Sequence, residues 1–421
     1  MKILFTNTTL AHRTGSELYV LEVARALLAR GHQPVAWSPV LGDLAAELRA
    51  AAVPVLADLA EVAALPGWGG APDLIHGQHH LETMTALLRF PGTPGIFVCH
   101  GSLPWEEAPP RFPRLHRYVA VDAATRERLT AAGVPAERIR MVFNFVDLAR
   151  FPARSPRSPL PRRPRRALVF SNSAAGATFL PAVHAACGVA GLALDVAGIA
   201  SGHPAAHPET LLPGYDLVFA KGRSALEAMA VGAAVVLCDA AGCGPLVTAA
   251  ELDRLRQQNF GLRALTEPVE PAVLLAQIAR YDPDDAAQVA ERVRAEAGLE
   301  PAVDRLIEVY GEALAEPAPD AADAGEERRA AAAYLGLLNP YLKERGRLLI
   351  DRDALWRRVH GLTAELEAAR TELAAEGERT ANLRAELASQ RATATWRLRE
   401  ALTARPGLVR LYRRLRGLPA G

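Results

Sequence analysis

Short apolar runs alternate with amphipathic stretches through residues 1–151 of the chain. Lys2 to Thr6 forms the first strand-like run, and Ser16 to Arg30 then repeats its apolar residues at helical spacing until Gly31 stops the pattern. Strands and helices that alternate in this way build a parallel sheet covered by helices. The pattern predicts a Rossmann-like N-terminal domain over residues 1–151.

A second series of the same kind covers residues 167–315, and Pro301 to Ala315 is predicted as its closing helix. Between the two series, residues 152–166 hold five prolines and six arginines without an acidic residue. Proline disrupts helices, so this composition predicts an exposed linker, with attraction to an anionic surface as the alternative. The predicted fold class is α/β, with two Rossmann-like domains that face a cleft.

The last part of the chain differs in kind. Residues 316–330 are rich in Pro, Ala and Asp and predict a second linker, and residues 331–390 predict a helical segment. Apolar residues at alternating steps of four and three predict a short coiled coil over 355–387: Leu355, Val359, Leu362, Leu366, Ala369, Leu373, Leu383 and Leu387. Glu376 and Thr380 interrupt it, so self-association, a helical partner and an intramolecular hairpin all remain open.

The final segment, residues 391–421, carries eight arginines and one glutamate among Trp396, Tyr412 and several leucines. A basic amphipathic segment of this kind is typical of peptides that lie in an anionic lipid headgroup layer. A partner-docking or solvated helix is an equally weighted alternative.

Composition and charge limit the remaining classes. The 421 residues exceed what one core usually organises, and the net charge of +1 argues against a nucleic-acid-binding chain. The four cysteines show no metal-binding spacing, which predicts buried reduced thiols, no metal and a cytoplasmic protein. No run approaches the ~18 apolar residues of a membrane span, so any membrane association is expected to be peripheral, at the inner face.

Neither the dinucleotide fingerprint GxGxxG in the first strand-helix turn nor the phosphate loop GxxxxGK[ST] is present. Other stretches carry more information. They are TGSE (Thr14 to Glu17), ARGH (Ala29 to His32), FVCHGS (Phe97 to Ser102), YVAVDAATRERLTAAGVPAERIRMVFNFVDLARF (Tyr118 to Phe151) and YDLVFAKGRSALEAMAVGAAVVLCDAAGCGPLV (Tyr215 to Val247).

In type and order these stretches resemble glycosyltransferase family 4 and related retaining GT-B glycosyltransferases across residues 1 to 315. The resemblance implies a nucleotide-sugar donor bound by the second domain, a saccharide or lipid-linked glycan acceptor bound by the first, and neither metal nor cofactor. The implied donor contacts are Glu227, Lys221, Gly222, Arg223, Ser224 and Gly242. The implied acceptor-side residues are Gly15, Ser16 and Asn144, and His100 is the implied catalytic residue.

The chemistry of these residue types agrees with the resemblance. A carboxylate such as Glu227 accepts hydrogen bonds from a ribose diol, and Gly222 at a helix N-terminus offers backbone N–H groups to a diphosphate. Gly242 is expected to let another loop approach the ligand. His76, His79 and His80 are expected to line the cleft as a loop rather than to bind zinc.

Two departures from the family pattern concern the donor site. Phe219 stands where the family has a second glutamate, and Phe170 to Phe179 contains no cation where the family has an Arg and a Lys. Lys221 or Arg223 is then needed to neutralise the diphosphate. The alternatives are a catalytically degenerate GT-B scaffold in polysaccharide assembly and a nucleotide-sugar epimerase.

Overall fold

The computed structural model describes residues 1–155, 159–317 and 323–418. The chain divides into two compact units, Met1–Tyr334 and Leu335–Gly421. The first unit contains two β-sheets with their flanking helices, and the second is helical.

The first sheet has the strand order β3-β2-β1-β4-β5-β6-β7, and all its neighbouring strands are parallel. Its strands are β1 (Lys2–Thr6), β2 (Gln33–Trp37), β3 (Val55–Leu56), β4 (Leu74–Gln78), β5 (Gly95–Cys99), β6 (Leu115–Ala120) and β7 (Ile139–Met141). The helices between them are α1 (Gly15–Ala29), α2 (Asp43–Ala50), α3 (His80–Arg89) and α4 (Ala123–Ala131).

Both faces of this sheet are buried, which explains its nearly continuous apolar strands. In β1, Ile3 and Phe5 join a core cluster with α1, whereas Leu4 joins the cluster on the opposite face. Successive side chains of a strand point to opposite faces, so one short run serves both cores.

The second sheet has the order β12-β11-β10-β8-β9, and β12 is antiparallel to β11. Its strands are β8 (Arg166–Phe170), β9 (Ala193–Ala197), β10 (Leu217–Ala220), β11 (Ala234–Asp239) and β12 (Gly242–Leu246). Its helices are α5 (Leu180–Ala190), α6 (Pro208–Leu211), α7 (Gly222–Ala230), α8 (Leu252–Gln257), α9 (Pro271–Ile278) and α10 (Pro283–Glu296). The prediction of an α/β fold with two Rossmann-like sheets is confirmed.

Short 3-10 turns complete the unit, at Leu59–Ala64, Trp105–Glu107, Ala136–Arg138, Ile199–Ser201, Leu212–Gly214 and Leu262–Ala264. The predicted linker at 152–166 includes residues 156–158, which lie outside the described residues. Its last residue, Arg166, begins β8.

The helix predicted to close the second domain packs on the first one instead. This helix, α11 (Leu299–Leu314), places Val303, Leu306 and Tyr310 in the same core cluster as β1 and α1. The segment by which the chain returns to the first domain lies beside the segment by which it left that domain. There the Val146 N–H donates to Ala297 O at 2.9 Å, and the Leu299 N–H donates to Val146 O at 3.0 Å. The expected boundary at residue 315 is therefore wrong, because the apolar stripe of α11 is buried by the first sheet.

The second predicted linker is also shorter than expected. Residues 318–322 lie outside the described residues, and α12 (Asp323–Ala392) already begins within the 316–330 segment. Glu327 of α12 forms an ion pair at 2.6 Å with Arg114, whose guanidinium also donates to the carbonyls of Leu87, Phe90 and Thr93. The start of the long helix therefore belongs to the first unit.

The second unit continues α12 and adds α13 (Ala394–Thr403) and α14 (Pro406–Leu415). Because α12 is one uninterrupted helix through 355–387, the hairpin alternative for this segment is wrong. Within residues 391–418 the predicted basic tail comprises the end of α12 and two short helices separated at Ala404 and Arg405, and residues 419–421 lie outside the described residues. Within the described ranges, no helix combines the length and apolar character needed to cross a membrane.

Candidate functional site

Helix α7 carries the predicted donor residues at its N-terminus. Lys221 is the N-terminal capping residue, and Gly222 follows in the left-handed region with φ of 57°. The buried apolar face of α7 packs in the second-domain core, and Gly232, with φ of 88°, follows the helix end where a left-handed residue is usual. Strand β10 and this packing fix the direction of the helix.

The free backbone donors of α7 differ from the prediction. The Gly222 N–H donates to Phe260 O at 2.8 Å, so the expectation that this group faces a diphosphate is wrong. The next two N–H groups, those of Arg223 and Ser224, have no acceptor among the described residues. These two groups, at the positive end of the helix dipole, can bind an anion.

Glu227 lies one turn further along α7 and is buried, with 7% of its surface exposed. Burial raises the pKa of Glu227 to about 7, a shift that Arg223 opposes and Glu22 reinforces. Within the described part of the chain its carboxylate has no hydrogen-bond partner. A buried acceptor of this kind is suited to a ligand hydroxyl pair.

Arg223 connects α7 to the first domain. Its Nη2 donates to Glu22 Oε2 of α1 at 2.5 Å, and its guanidinium carbon lies 5.6 Å from the centre of the Phe145 ring. Arg223 Nη1 and Glu22 Oε1 are both buried without a partner in the described residues. The cation expected to neutralise the diphosphate is therefore already half engaged by a carboxylate.

Lys221 is paired as well. Its Nζ lies 2.9 Å from Asp239 Oδ2 at the end of β11, and burial lowers the Lys221 pKa. Asp239 Oδ1 accepts hydrogen bonds from Ser171 Oγ at 3.2 Å and from the hydroxyl of Ser173. These serines follow β8, the position where the family pattern has cations, so an Asp–Ser–Lys network occupies this edge.

Gly242 does not begin a loop. It is the first residue of β12, and a Cβ atom placed on it would lie 3.0 Å from Leu265 O. A Cβ on Gly244 would lie only 2.3 Å from Ala264 O. The structure accounts for both glycines by close packing of β12 against the following segment, and the prediction of a ligand-facing loop at Gly242 is wrong.

His100 follows β5, at the carboxyl edge of the first sheet. Its ring packs edge-on against Tyr19 at 4.6 Å, and its backbone N–H donates to Glu107 Oε2 at 2.9 Å. Burial lowers the pKa of His100 well below its usual value, and His79, His76 and Arg223 lower it further. The ring is therefore neutral near pH 7, and its buried Nε2 has no partner among the described groups.

His76, His79 and His80 lie in regular elements or at their ends, not in the expected loop. His76 in β4 forms a hydrogen bond with Tyr310 Oη at 2.6 Å, and burial lowers its pKa to about 3. His80 begins α3 and bonds Tyr334 Oη at 2.6 Å. No metal-binding group of three or more His, Cys, Asp or Glu side chains occurs in ranges 1–155, 159–317 and 323–418.

The predicted acceptor-side residues are spread along the first domain. Gly15 and Ser16 begin α1, and Ser16 Oγ donates to Glu17 Oε2 at 3.0 Å. Asn144 is buried, and its carbonyl accepts a hydrogen bond from Arg256 at 3.3 Å. The structure links His100 to Arg223 through ring contacts, since Tyr19 packs against both His100 and Phe145 and the Arg223 guanidinium lies over Phe145. Arg223 also lowers the pKa of both His100 and Glu227.

Comparisons with known proteins agree with this architecture. Residues 13–150 match the family model described as Glycosyltransferase Family 4. A glycosyltransferase from Rickettsia africae has a similar structure, with a TM-score of 0.56, 16% identity and coverage of 75% of this chain and 99% of that one. For HepE of Anabaena in complex with UDP and glucose, the TM-score is 0.52 and the sequence identity is 18%, with coverage of 74% of this chain and 99% of that one. For the HepE complex with UDP-glucose, the TM-score is 0.53 and the identity is 17%, with coverage of 74% of this chain and 99% of that one.

The chain has the GT-B glycosyltransferase fold. A comparison with curated proteins finds no match. In this GT-B chain the C-terminal edges of both sheets, where α/β folds bind their ligands, carry His100 on one side and the start of α7 on the other.

Sequence reasoning missed Glu22 and Tyr19, which supply the first-domain side of the Arg223 cluster. The available signal was a carboxylate on the buried face of α1, between Leu21 and Val23. Glutamate is rarely buried unless it is paired, so its place on that face indicates a partner from outside the helix. The identity of that partner requires the tertiary structure.

Proposed function

We propose that the chain is a glycosyltransferase that moves a sugar from a nucleotide-sugar donor to a saccharide or lipid-linked glycan, with net retention and without a metal. The observation that carries the proposal is the buried, unpartnered Glu227 carboxylate one turn after two free N–H groups at the start of α7, all within the described residues. The Anabaena structures of the same fold contain UDP, glucose and UDP-glucose, which supports this ligand class.

The donor is proposed to lie along the N-terminus of α7. The backbone N–H groups of Arg223 and Ser224 would bind the diphosphate, and Glu227 would accept hydrogen bonds from the ribose. Lys221 would add positive charge at this edge, with its Nζ already paired with the Asp239 carboxylate. Donors that face the leaving diphosphate stabilise the transition state by several kcal/mol.

On the first-domain side, His100 is proposed to contact the transferred sugar through Nε2. A neutral ring can donate or accept one hydrogen bond there, which orients the sugar without adding charge. Gly15, Ser16 and Asn144 remain proposed acceptor-side residues. Separation of the two sheets would admit the substrates, and closure would exclude water.

Where the acceptor is lipid-linked, the protein is proposed to work at the inner membrane face. The basic helices within residues 391–418 would hold it at anionic lipid, and the apolar seam of α12 would associate with another helix. The exposed leucines of both elements and the excess of arginine in the tail support these two interactions.

The test is a panel of UDP-, GDP-, ADP-, CDP- and dTDP-sugars in thermal shift and transfer assays. A true donor at a hundredfold its Kd adds about 2.7 kcal/mol of stability. We expect Glu227→Gln to lower donor affinity at least tenfold, and Glu291→Gln, an exposed carboxylate on α10, to leave it unchanged.

The second candidate is a degenerate GT-B scaffold that binds without turnover. The pairing of Lys221 with Asp239 and of Arg223 with Glu22 favours it, as does the buried Phe219 in place of a carboxylate. Tight nucleotide binding without transfer or hydrolysis, unchanged by Glu227→Ala, would establish the scaffold and reject the enzyme. Release of a free sugar or epimer without acceptor would instead identify an epimerase.

A further inference from the structure

Glu22 is a carboxylate in an unusual place. It lies in the middle of α1, where Val20, Val23 and Ala24 pack into the first-domain core, and only 4% of its surface is exposed. Burying a charge costs several kcal/mol unless a partner compensates for it. Its partner is Arg223, which belongs to the other sheet's domain.

Only one carboxylate oxygen of Glu22 and one guanidinium nitrogen of Arg223 take part in this ion pair. Glu22 binds through Oε2 and Arg223 through Nη2, while Glu22 Oε1 and Arg223 Nη1 have no partner in the described residues. The Tyr19 hydroxyl, one turn earlier on α1, is likewise buried and unpartnered within the described ranges, with 2% of its residue exposed. Native structures rarely leave such groups unsatisfied, so their grouping needs an explanation.

These atoms lie beside the predicted reaction centre. The Tyr19 ring contacts both His100, at 4.6 Å, and Phe145, at 5.5 Å, and Phe145 in turn lies under Arg223. Glu22 and Arg223 both influence the ionisation of Glu227. An acceptor carboxylate, a phenol and a guanidinium donor are therefore linked to His100 by one series of contacts.

The combination fits a polyol. A sugar ring presents hydroxyls that each donate and accept, and a carboxylate oxygen beside a phenol and an N–H can pair with adjacent hydroxyls. The donor-site carboxylate that the family pattern places at 219 is missing, since Phe219 is buried in β10. Glu22 brings a carboxylate from the first domain to Arg223 at the start of α7.

We propose that Glu22 Oε1, Tyr19 Oη and Arg223 Nη1 form a subsite for the hydroxyls of the transferred sugar, with Glu22 replacing the carboxylate absent at position 219. The subsite rests on the proposed function, because it requires a nucleotide sugar in the cleft. It assigns recognition of the sugar to Glu22 and Tyr19 of the first domain with the Arg223 guanidinium, and recognition of the nucleotide to the backbone N–H groups at the start of α7 and to Glu227.

Tyr19→Phe is the cleanest test, because it removes a hydroxyl that has no partner in the described residues and therefore leaves packing intact. With UDP-glucose and UDP as probes, or GDP-mannose and GDP if the panel selects guanine nucleotides, titration calorimetry compares the two ligands. We expect about 3- to 10-fold weaker binding of the nucleotide sugar and unchanged binding of the nucleotide. Tyr412→Phe in the tail is the matched control.

Glu22→Gln extends the test, with circular dichroism to confirm folding. We expect at least tenfold weaker nucleotide-sugar binding and no loss of nucleotide affinity, because the diphosphate contacts remain. Equal affinities for wild type, Tyr19→Phe and folded Glu22→Gln would overturn the subsite and leave the proposed function standing. A wild type that binds no member of the panel would overturn both, a result that differs visibly from the first.

Discussion

At the scale of residues, the carboxylate of Glu227 combines burial with mixed neighbouring charges. Burial raises its pKa to about 7, with Arg223 lowering it and Glu22 raising it. The ionised form accepts hydrogen bonds only, whereas the protonated form also donates one. Its protonation state thus determines whether it can accept from both hydroxyls of a ribose.

This pKa predicts that donor binding depends on pH. As pH rises from about 6 to about 8, Glu227 loses its proton and affinity for UDP-glucose should increase, approaching tenfold per pH unit only below the pKa. UDP-glucose is the suitable probe because its diphosphate diester does not titrate in this range. Glu227→Gln should flatten the profile, and affinity that falls with pH in the wild type would contradict the assignment.

The stability of the ligand-free protein should change in the opposite direction. A folded-state pKa above the usual 4.5 means that the folded state binds this proton more tightly than the unfolded state. The contribution of Glu227 to the free energy of unfolding is therefore present at low pH and is lost as pH rises through about 7. Function at Glu227 is obtained at a cost in stability.

At the scale of elements, α12 exposes a long row of apolar side chains. Its 70 residues give a length of about 105 Å at 1.5 Å per residue. The seam residues Leu355, Leu362 and Leu366 are exposed by 63%, 54% and 51%. Leucines at heptad spacing on one helix normally insert between the side chains of another helix, so the seam indicates an associating surface.

We predict that the full chain self-associates through this seam. Light scattering should give a multiple of 45.0 kDa, and Leu362→Lys with Leu366→Lys should return the mass to that of one chain. The pair Ala364→Lys and Ala368→Lys, on the same helix but outside the seam, should retain the assembly. A wild type that stays a single chain at micromolar concentrations would reject self-association and leave a different helical partner as the explanation.

The crossing helix α11 shows why element and domain boundaries differ. Arg30, which caps the C-terminus of α1, pairs with Glu300 and Asp304, and the Tyr310 hydroxyl forms a hydrogen bond with His76 in β4. The first domain therefore includes the helix that follows the second domain in sequence. Truncation of the chain before α11 would expose the core that Val303 and Leu306 help to fill.

At the scale of the whole molecule, positive charge is unevenly distributed along the chain. The chain has a net charge of +1, yet residues 391–421 contain eight arginines and one glutamate. In α14 the apolar residues Leu408, Leu411 and Leu415 are exposed by 37%, 54% and 80%. Exposed leucines among arginines are typical of helices that bind anionic lipid surfaces.

We expect the full chain to sediment with vesicles that contain phosphatidylglycerol and not with pure phosphatidylcholine. Each arginine near such a surface contributes about 1 kcal/mol, so changing Arg410, Arg413, Arg414 and Arg416 to Gln should abolish binding. The matched change of Arg254, Arg280, Arg292 and Arg305 in the first unit should not. Partitioning that survives the tail substitutions would place the membrane contact elsewhere.

Much of the fold follows from short-range patterns. The run Lys2–Thr6 and the helix Gly15–Ala29 were predictable within a residue or two, because buried parallel strands and amphipathic helices leave strong periodic signals. β7 and β12 leave no such signal, because β7 has only three residues, all of intermediate burial, and β12 begins with the residues GCG. Glycine usually marks a loop, and here it marks close packing.

The features of the candidate site likewise separate into those that depend on neighbours along the chain and those that depend on tertiary packing. The sequence by itself determined the order of strands and helices, the place of Glu227 one turn into a helix, and the excess of arginine in the tail, because these depend on neighbours along the chain. Only the tertiary structure decided that α11 belongs to the first core, that Gly222 and Gly242 are used internally, and that Glu22 meets Arg223. The last of these contacts joins residues about two hundred positions apart, and such partners are set by how whole elements pack.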